Sequence, residues 1–350
     1  MDAGFSRYNA GALNYWIRMP DTPEGRSKLP IVFVHGVGVG LVTYMSFVRR
    51  LIEYDCPVMC VELPFVSMSI DPKVPSIDQQ LDSVRRMLNT WGFESATFVG
   101  HSYGSILLSW MVQHAPERVA SVCFIDPVVI MLNLKSTLYN FLYKHAAEDG
   151  KISDLVGSEL FLNHALRRHF WWYRNIIWAQ DMHREGIPSS VIVSEKDEIV
   201  PSAEVALHIE RFNEEMKGDS LVSYYMIQNG THGDMLFDDS IQEEVLSVLS
   251  ANWEEANEAH VVGELQMLKK IRSSPLTRWL KDSKLGILKN KVQSRLAGQL
   301  YKQSTQVGMQ LMVGARWQTR TLTRQTRPVT DPVASGLQGF LQAFKARTVG

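Results

Sequence analysis

Short apolar runs alternate with amphipathic stretches from about residue 31 to residue 126. Ile31-Val32-Phe33-Val34, Val58-Met59-Cys60-Val61, Ala96-Thr97-Phe98-Val99 and Val119-Ala120-Ser121-Val122-Cys123-Phe124-Ile125 are mainly aliphatic and aromatic. Runs of this length predict strands buried on both faces, as in a parallel sheet. Between them, 42–53, 76–90 and 103–114 have helical length and spacing, with Ile77, Leu81, Val84 and Leu88 on one face. Such alternation builds right-handed βαβ units.

The alternation stops at 128–185, a stretch that is aromatic, histidine-rich and helical in character. It resumes with a strand at Ser190–Val193, a helix near 201–211, a strand at Val222–Ile227 and a helix near 239–253. The pattern predicts an α/β core in two parts, 1–127 and 186–255, with a mostly parallel, doubly wound sheet. A helical cap at 128–185 interrupts it, and a basic extension, helical or partly disordered, follows at 256–350. No internal repeat is evident.

Phe98-Val99-Gly100-His101-Ser102-Tyr103-Gly104 puts a serine inside Gly-x-Ser-x-Gly at a predicted strand-to-helix junction. In that context the motif is a nucleophile elbow, a sharp turn that lifts a serine hydroxyl above the sheet edge. Gly100 and Gly104 fit because a Cβ at either place would meet the closely packed strand and helix. A serine hydroxyl needs a base, the base needs an acid that fixes its tautomer, and the oxyanion needs two N–H donors. His232, on the glycine-flanked turn Asn229-Gly230-Thr231-His232-Gly233-Asp234, is the candidate base. Two acids satisfy the Ser…Asp…His chain order: Asp197, just past the penultimate strand and preferred, and Asp126, before Pro127 at a strand end. Asp126 also has a plain reading as a residue that opens a loop before proline.

The amides of Tyr103 and Val37 are the candidate oxyanion donors, the latter from the loop His35-Gly36-Val37-Gly38-Val39-Gly40. A glycine-rich loop after a strand can also cradle phosphate, but the Gly-Lys-Ser/Thr and Gly-x-Gly-x-x-Gly patterns are missing. His35, Gly36 and His101 beside these groups, with Trp171 and Trp172 in the cap, are the candidate substrate-binding residues.

The His35-Gly36 loop, the Gly-His-Ser-Tyr-Gly elbow, the acid loop Lys196–Pro201 and Thr231-His232-Gly233 follow one another over roughly 30–255. In that order they resemble the α/β-hydrolase superfamily, of the capped AB hydrolase-1 type. The resemblance implies the α/β-hydrolase fold, a Ser102–His232–Asp197 triad and two-step acyl transfer to water, with no metal or cofactor. Serine at 102 departs from the carboxylate nucleophile of the superfamily's epoxide hydrolases and haloalkane dehalogenases. The His-x-x-x-x-Asp motif of its acyltransferases is missing, His145 and Asp149 standing one residue too close. A catalytically silent scaffold that binds a lipid or a protein, and a carbon–carbon bond hydrolase, are the alternatives within the fold.

The cap carries Phe170, Trp171, Trp172, Tyr173 and Trp178 within nine residues. This surface can wall an acyl-chain pocket, dip into a lipid interface, or simply seat the cap on the core. A hydrophobic ester, such as a lipid acyl ester, is the expected substrate.

Apolar residues at 45% and charged residues at 21% fit a globular protein with a sizeable core. The net charge of −1 conceals an asymmetry: residues 261–350 hold 16 Lys/Arg against three acids, and residues 1–260 hold 20 against 34. Val261, Leu265, Leu268 and Ile271 recur at helical spacing beside Lys269, Lys270 and Arg272, so 261–300 is expected to meet an anionic membrane or dock on the acidic body. No basic module of a nucleic-acid-binding kind is visible. The opening residues lack the apolar core of a secretory signal, and no window approaches a membrane span. Cys56, Cys60 and Cys123 are odd in number and lie in apolar runs, which suits buried thiols in a reducing compartment. A glycan on the sequon Asn229-Gly230-Thr231 would crowd His232, so an intracellular address is expected, cytoplasmic or peripheral on a membrane.

Overall fold

The computed structural model describes residues 4–70, 73–142 and 159–273, the last ten by backbone alone. The chain divides into a unit of residues 1–274 and a second from 275 onward, and every described residue lies in the first. The expectations for the extension beyond 273, and the His145–Asp149 pair, fall outside the described residues.

Among the described residues the strands form one eight-stranded sheet. β1 (Ser6–Asn9) and β2 (Asn14–Arg18) pair antiparallel, and β2 joins antiparallel to β4 (Val58–Glu62). β3 (Ile31–Val34), β5 (Ala96–His101), β6 (Val119–Ile125), β7 (Ser189–Ser194) and β8 (Val222–Ile227) complete a parallel run in the order β4-β3-β5-β6-β7-β8. The antiparallel hairpin at the edge is an addition to the expected parallel sheet. Its signal is muted because Trp16 occupies an outward position between buried Tyr15 and Ile17. The Trp16 indole N–H is donated to Glu62 Oε1 at 2.5 Å.

The longer helices are α1 (Met45–Leu51), α2 (Ile77–Thr90), α3 (Gly104–His114), α4 (Lys135–Leu142), α5 (Leu160–Arg168), α6 (Ala179–Arg184), α7 (Ser202–Glu215) and α8 (Asp239–Ser273). Strand alternation sorts them into two layers. Val32 and Val34 enter a core shared with Met59, Phe98, Phe124 and helices α2, α3 and α7. Ile31 and Phe33, one residue out of phase, enter the opposite core with Cys60, Val99, Ile125, α1 and α8. Phe33, Phe98 and Phe124 are fully buried, each contributing about 1.5–3 kcal/mol of transfer free energy. Ser76 starts α2 with a reciprocal cap: its hydroxyl accepts from the Gln79 N–H while Gln79 Oε1 accepts from the Ser76 N–H.

Helix α8 runs well past the end expected near 253. Its buried face continues through Trp253 and Ala256, and Asn257 accepts the Leu29 N–H at 2.9 Å. Between β6 and β7 lie α4, α5, a single helical turn at Trp172–Asn175, and α6. This cap segment is seated on α3 by three side-chain donors: Ser109 to Asn175 O, Trp110 to Arg174 O and Gln113 to Ile176 O, at 3.0, 3.0 and 2.8 Å. Among the described residues no helix is long and apolar enough to cross a membrane. The three cysteines are buried and unpaired, and burial raises each thiol pKa.

Candidate active site

β5 ends at His101 and α3 begins at Gly104, so the chain reverses within two residues. Ser102 sits in the left-handed region at φ 51°, which for a residue with a Cβ costs on the order of 1–3 kcal/mol. Its surroundings hold it there: the Ser102 N–H donates to Ile125 O at 2.9 Å, and the Ser105 hydroxyl donates to Ser102 O at 2.5 Å. The turn is possible because residue 104 is glycine, which lets the helix start lie against the end of β3. A Cβ on Gly104 would lie 2.3 Å from Val34 O.

The acid loop follows β7 and the base loop follows β8, so both arrive at the same sheet edge as the elbow. The two loops are tied by the Lys196 N–H, which donates to Gly230 O at 2.8 Å. Thr231 gives its N–H and its hydroxyl to Asp234, each at 2.8 Å, and Gly233 takes φ 84° to complete the turn. His232 then reaches Ser102 Oγ with Nε2 at 2.9 Å and donates from Nδ1 to Asp197 Oδ2 at 2.7 Å. Asp197 Oδ1 accepts the N–H groups of Ile199 and Val200 at 2.7 and 2.8 Å. Ser102, His232 and Asp197 therefore lie in one hydrogen-bonded line. Burial works against a charged imidazole, but the neighbouring carboxylates of Asp197, Asp126 and Glu198 outweigh it and raise His232 to about 9.

Asp126, the other acid that chain order allows, is differently placed. It also has a positive φ, 42°, and is buried. Its Oδ1 and Oδ2 accept the N–H and hydroxyl of Ser194. Burial and the nearby Asp197 charge raise its pKa. Asp126, Asp197 and His232 bring three potential ligand atoms within 4.8 Å of one another. Both His232 nitrogens and the Asp126 oxygens are engaged in hydrogen bonds, to Ser102, Asp197 and Ser194.

His35 and His101, expected at the substrate, are instead buried within the frame of the site. His35 donates from Nδ1 to Gly36 O at 2.7 Å and accepts the Leu63 N–H at Nε2 at 3.0 Å. Burial lowers its pKa to about 4, so it stays neutral. His101 meets the Tyr44 hydroxyl through Nδ1 at 2.7 Å. Tyr44, fully embedded, carried no sequence signal beyond a place in a predicted helix. Gly36 packs so closely that an added Cβ would lie 3.0 Å from Ser102 Cβ. The loop bearing Val37 thus abuts the elbow. Among the described hydrogen bonds, neither the Val37 nor the Tyr103 amide has an acceptor.

The cap aromatics divide. Phe65, Tyr103, Phe141 and Phe170 form a chain of ring contacts at 6.2, 6.5 and 5.2 Å that passes through Tyr103, the residue after Ser102, and ends in the cap. Trp171 packs its edge against His169, and Trp172 is exposed against Tyr173. The structure thus places Phe141 and Phe170, rather than Trp171 and Trp172, in the aromatic chain that leads from the elbow. An open groove of about 480 Å³ beside the Gly36–Gly40 loop is lined by Trp16, Val39, Leu41, Met45 and Pro64, and none of Ser102, His232 and Asp197 lines it.

Residues 30–171 match the family model of the alpha/beta hydrolase fold. The abhydrolase domain-containing protein abhd-5.2 of Caenorhabditis elegans is 30% identical over 112 residues, which are 31% of this chain and 25% of that protein. An acetyltransferase component of the acetoin cleaving system of Cupriavidus necator is 29% identical over 114 residues, 32% of this chain and 30% of that one. The chain therefore spans under a third of the curated relatives it matches. Among solved structures, a bacterial membrane phospholipase A superposes with TM-score 0.53 at 15% identity, over 71% of this chain and 87% of that one. A thermophilic esterase from Thermogutta terrifontis superposes with TM-score 0.52 at 12% identity, over 73% and 100%. At these identities the likeness is one of fold. Sheet order, elbow and matched segment agree: the chain has the α/β-hydrolase fold.

Proposed function

We infer that this chain is a serine hydrolase that cleaves a carboxylic ester through an acyl-enzyme. The observation that carries the reading is the unbroken line Asp197–His232–Ser102, with contacts of 2.7 and 2.9 Å. These are the distances at which a base can take a hydroxyl proton. Ser102 Oγ attacks the ester carbonyl carbon while His232 Nε2 takes its proton. Asp197 holds the Nδ1–H tautomer and offsets the imidazolium charge. The oxyanion faces the amides of Val37 and Tyr103. Collapse breaks the bond to the alkoxy oxygen, and His232 returns the proton to the departing alcohol. Water then attacks the acyl-Ser102 carbonyl with His232 again as base, releasing the carboxylic acid and restoring the serine.

The substrate class follows from the walls. Phe65, Tyr103, Phe141 and Phe170 offer an apolar track from the elbow into the cap, which suits a hydrophobic acyl group. The basic surplus beyond residue 261 makes an anionic membrane a proposed partner, to be checked by sedimentation with phosphatidylserine vesicles.

Labelling with a fluorophosphonate tests the reading. The folded protein should be labelled and Ser102→Ala should not. On esters of graded chain length, turnover should rise with acyl length. Equal turnover of acetyl and long-chain esters would remove the hydrophobic substrate class. A folded protein that neither labels nor turns over leaves the scaffold reading in place.

A further inference from the structure

The Tyr44 hydroxyl stands at the junction of the two loops that flank Ser102. It accepts the Gly36 N–H at 2.9 Å, and with that lone pair engaged its own proton goes to His101 Nδ1 at 2.7 Å. Gly36 immediately precedes Val37, and His101 immediately precedes Ser102. One buried oxygen thus bonds to the backbone before one candidate oxyanion donor and to the side chain before the nucleophile.

The packing leaves this arrangement little room. The Tyr44 ring lies 5.1 Å from that of Phe33, which in turn lies 5.4 Å from Phe47 in the core. The hydroxyl would be 2.9 Å from a Cβ on Gly36. The direction of the bonds is fixed as well. Burial raises the Tyr44 pKa beyond the physiological range and lowers that of His101, so the phenol keeps its proton and the imidazole stays neutral. With Nδ1 accepting, His101 carries its proton on Nε2, which has no hydrogen-bond partner and faces Asp126 Oδ2 at 3.9 Å.

We propose that Tyr44 is a positioning residue for catalysis, whose hydroxyl sets the Gly36–Val37 loop against the elbow so that the Val37 amide meets the oxyanion. This role rests on the hydrolase reading above. Tyr44 touches no reacting atom and works through Gly36 and His101. Ground-state binding depends on the apolar track and is separate from it. The loss of the hydroxyl should therefore appear in the transition state and not in substrate affinity.

The test begins with the wild type, where Ser102-dependent fluorophosphonate labelling and ester turnover are measured first. Tyr44→Phe is then expected to lower kcat by roughly 30- to 100-fold, the scale of a small misplacement at a reacting centre, with KM nearly unchanged. Inhibition by a trifluoromethyl ketone, whose hemiketal carries the oxyanion, should weaken by the same factor. Amide exchange at Gly36 should quicken. His101→Leu should reproduce these losses, and His101→Asn, which sets an amide oxygen where Nδ1 stands, should recover most of them relative to leucine. If Tyr44→Phe does not fold, the two His101 variants decide the matter alone. Undiminished kcat, a loss carried by KM, or ketone affinity that does not follow kcat would overturn the proposal. A wild type that neither labels nor turns over would overturn it too, and is told apart because the hydrolase reading then fails before any variant is made.

Discussion

Ser194 holds both carboxylate oxygens of Asp126, its N–H 2.8 Å from Oδ1 and its hydroxyl 3.0 Å from Oδ2. The clamp joins the ends of neighbouring strands β6 and β7 and engages both oxygens of Asp126. Nδ1 of His232 goes to Asp197 instead. Two acids that chain order leaves equivalent are separated by which of them the His232 ring meets.

Asparagine substitution at each acid should separate their roles. Asp197→Asn should lower kcat by about 10⁴-fold, as expected when a triad base loses its tautomer. Asp126→Asn should keep kcat within about tenfold while destabilising the fold by about 1–3 kcal/mol, the penalty for a disrupted buried hydrogen-bond pair. Steady-state kinetics beside urea melts reads both. The reverse pattern would make Asp126 the acid.

The pH profile should carry the same signature. His232 accepts a proton only when neutral, so kcat/KM rises as pH climbs through its folded pKa, which nearby carboxylates raise to about 9. The acid limb should thus lie above the ordinary imidazole range near 6.5. Asp197→Asn removes the largest upward influence and leaves burial, which lowers the pKa, so the limb of the residual activity should move to lower pH. An unmoved limb would mean that another group controls it.

Stability should fall on acidification for a separate reason. His35 is neutral when folded, with a pKa lowered by burial to about 4, and titrates near 6.5 when unfolded. Between those values the unfolded chain binds the extra proton, so stability falls as pH drops from about 6.5 to about 4, by up to about 3 kcal/mol from this residue. His35→Gln should flatten that part of the curve in thermal melts recorded against pH. An equal slope in the variant would assign the effect elsewhere.

Two glycines make a paired test of the elbow. Gly104→Ala would set a Cβ 2.3 Å from Val34 O, a backbone clash expected to cost about 4 kcal/mol or more. Gly263→Ala, in α8 with open space around it, should be neutral or stabilising by up to about 1 kcal/mol. Similar melting temperatures for the two would show that the elbow can relax.

The parallel strands, the elbow and the base loop were legible because each has a local signature: apolar runs, Gly-x-Ser-x-Gly, and glycines around His232. The β1–β2 hairpin was hidden by the outward Trp16, and the length of α8 by the acidic residues Glu254, Glu255 and Glu258 beside its buried face. His35 and His101 looked like site residues because of where they fall in the chain. Both ring nitrogens of His35 and Nδ1 of His101 are bound within the protein, which depends on Leu63 and Tyr44, each far off in sequence. Tyr44 itself could not be found, since its hydroxyl matters only through two partners that folding alone brings to it.

Among the described residues strand β8 pairs only with β7, at the edge of the sheet, and the loop that carries His232 begins where it ends. Ser102 follows β5 instead, which is flanked on both sides. Peeling the edge strand away would withdraw the base while the interior strands remained paired. Heat inactivation should then precede the loss of the fold, and during synthesis the proposed base should reach Ser102 only after β8 has emerged and docked.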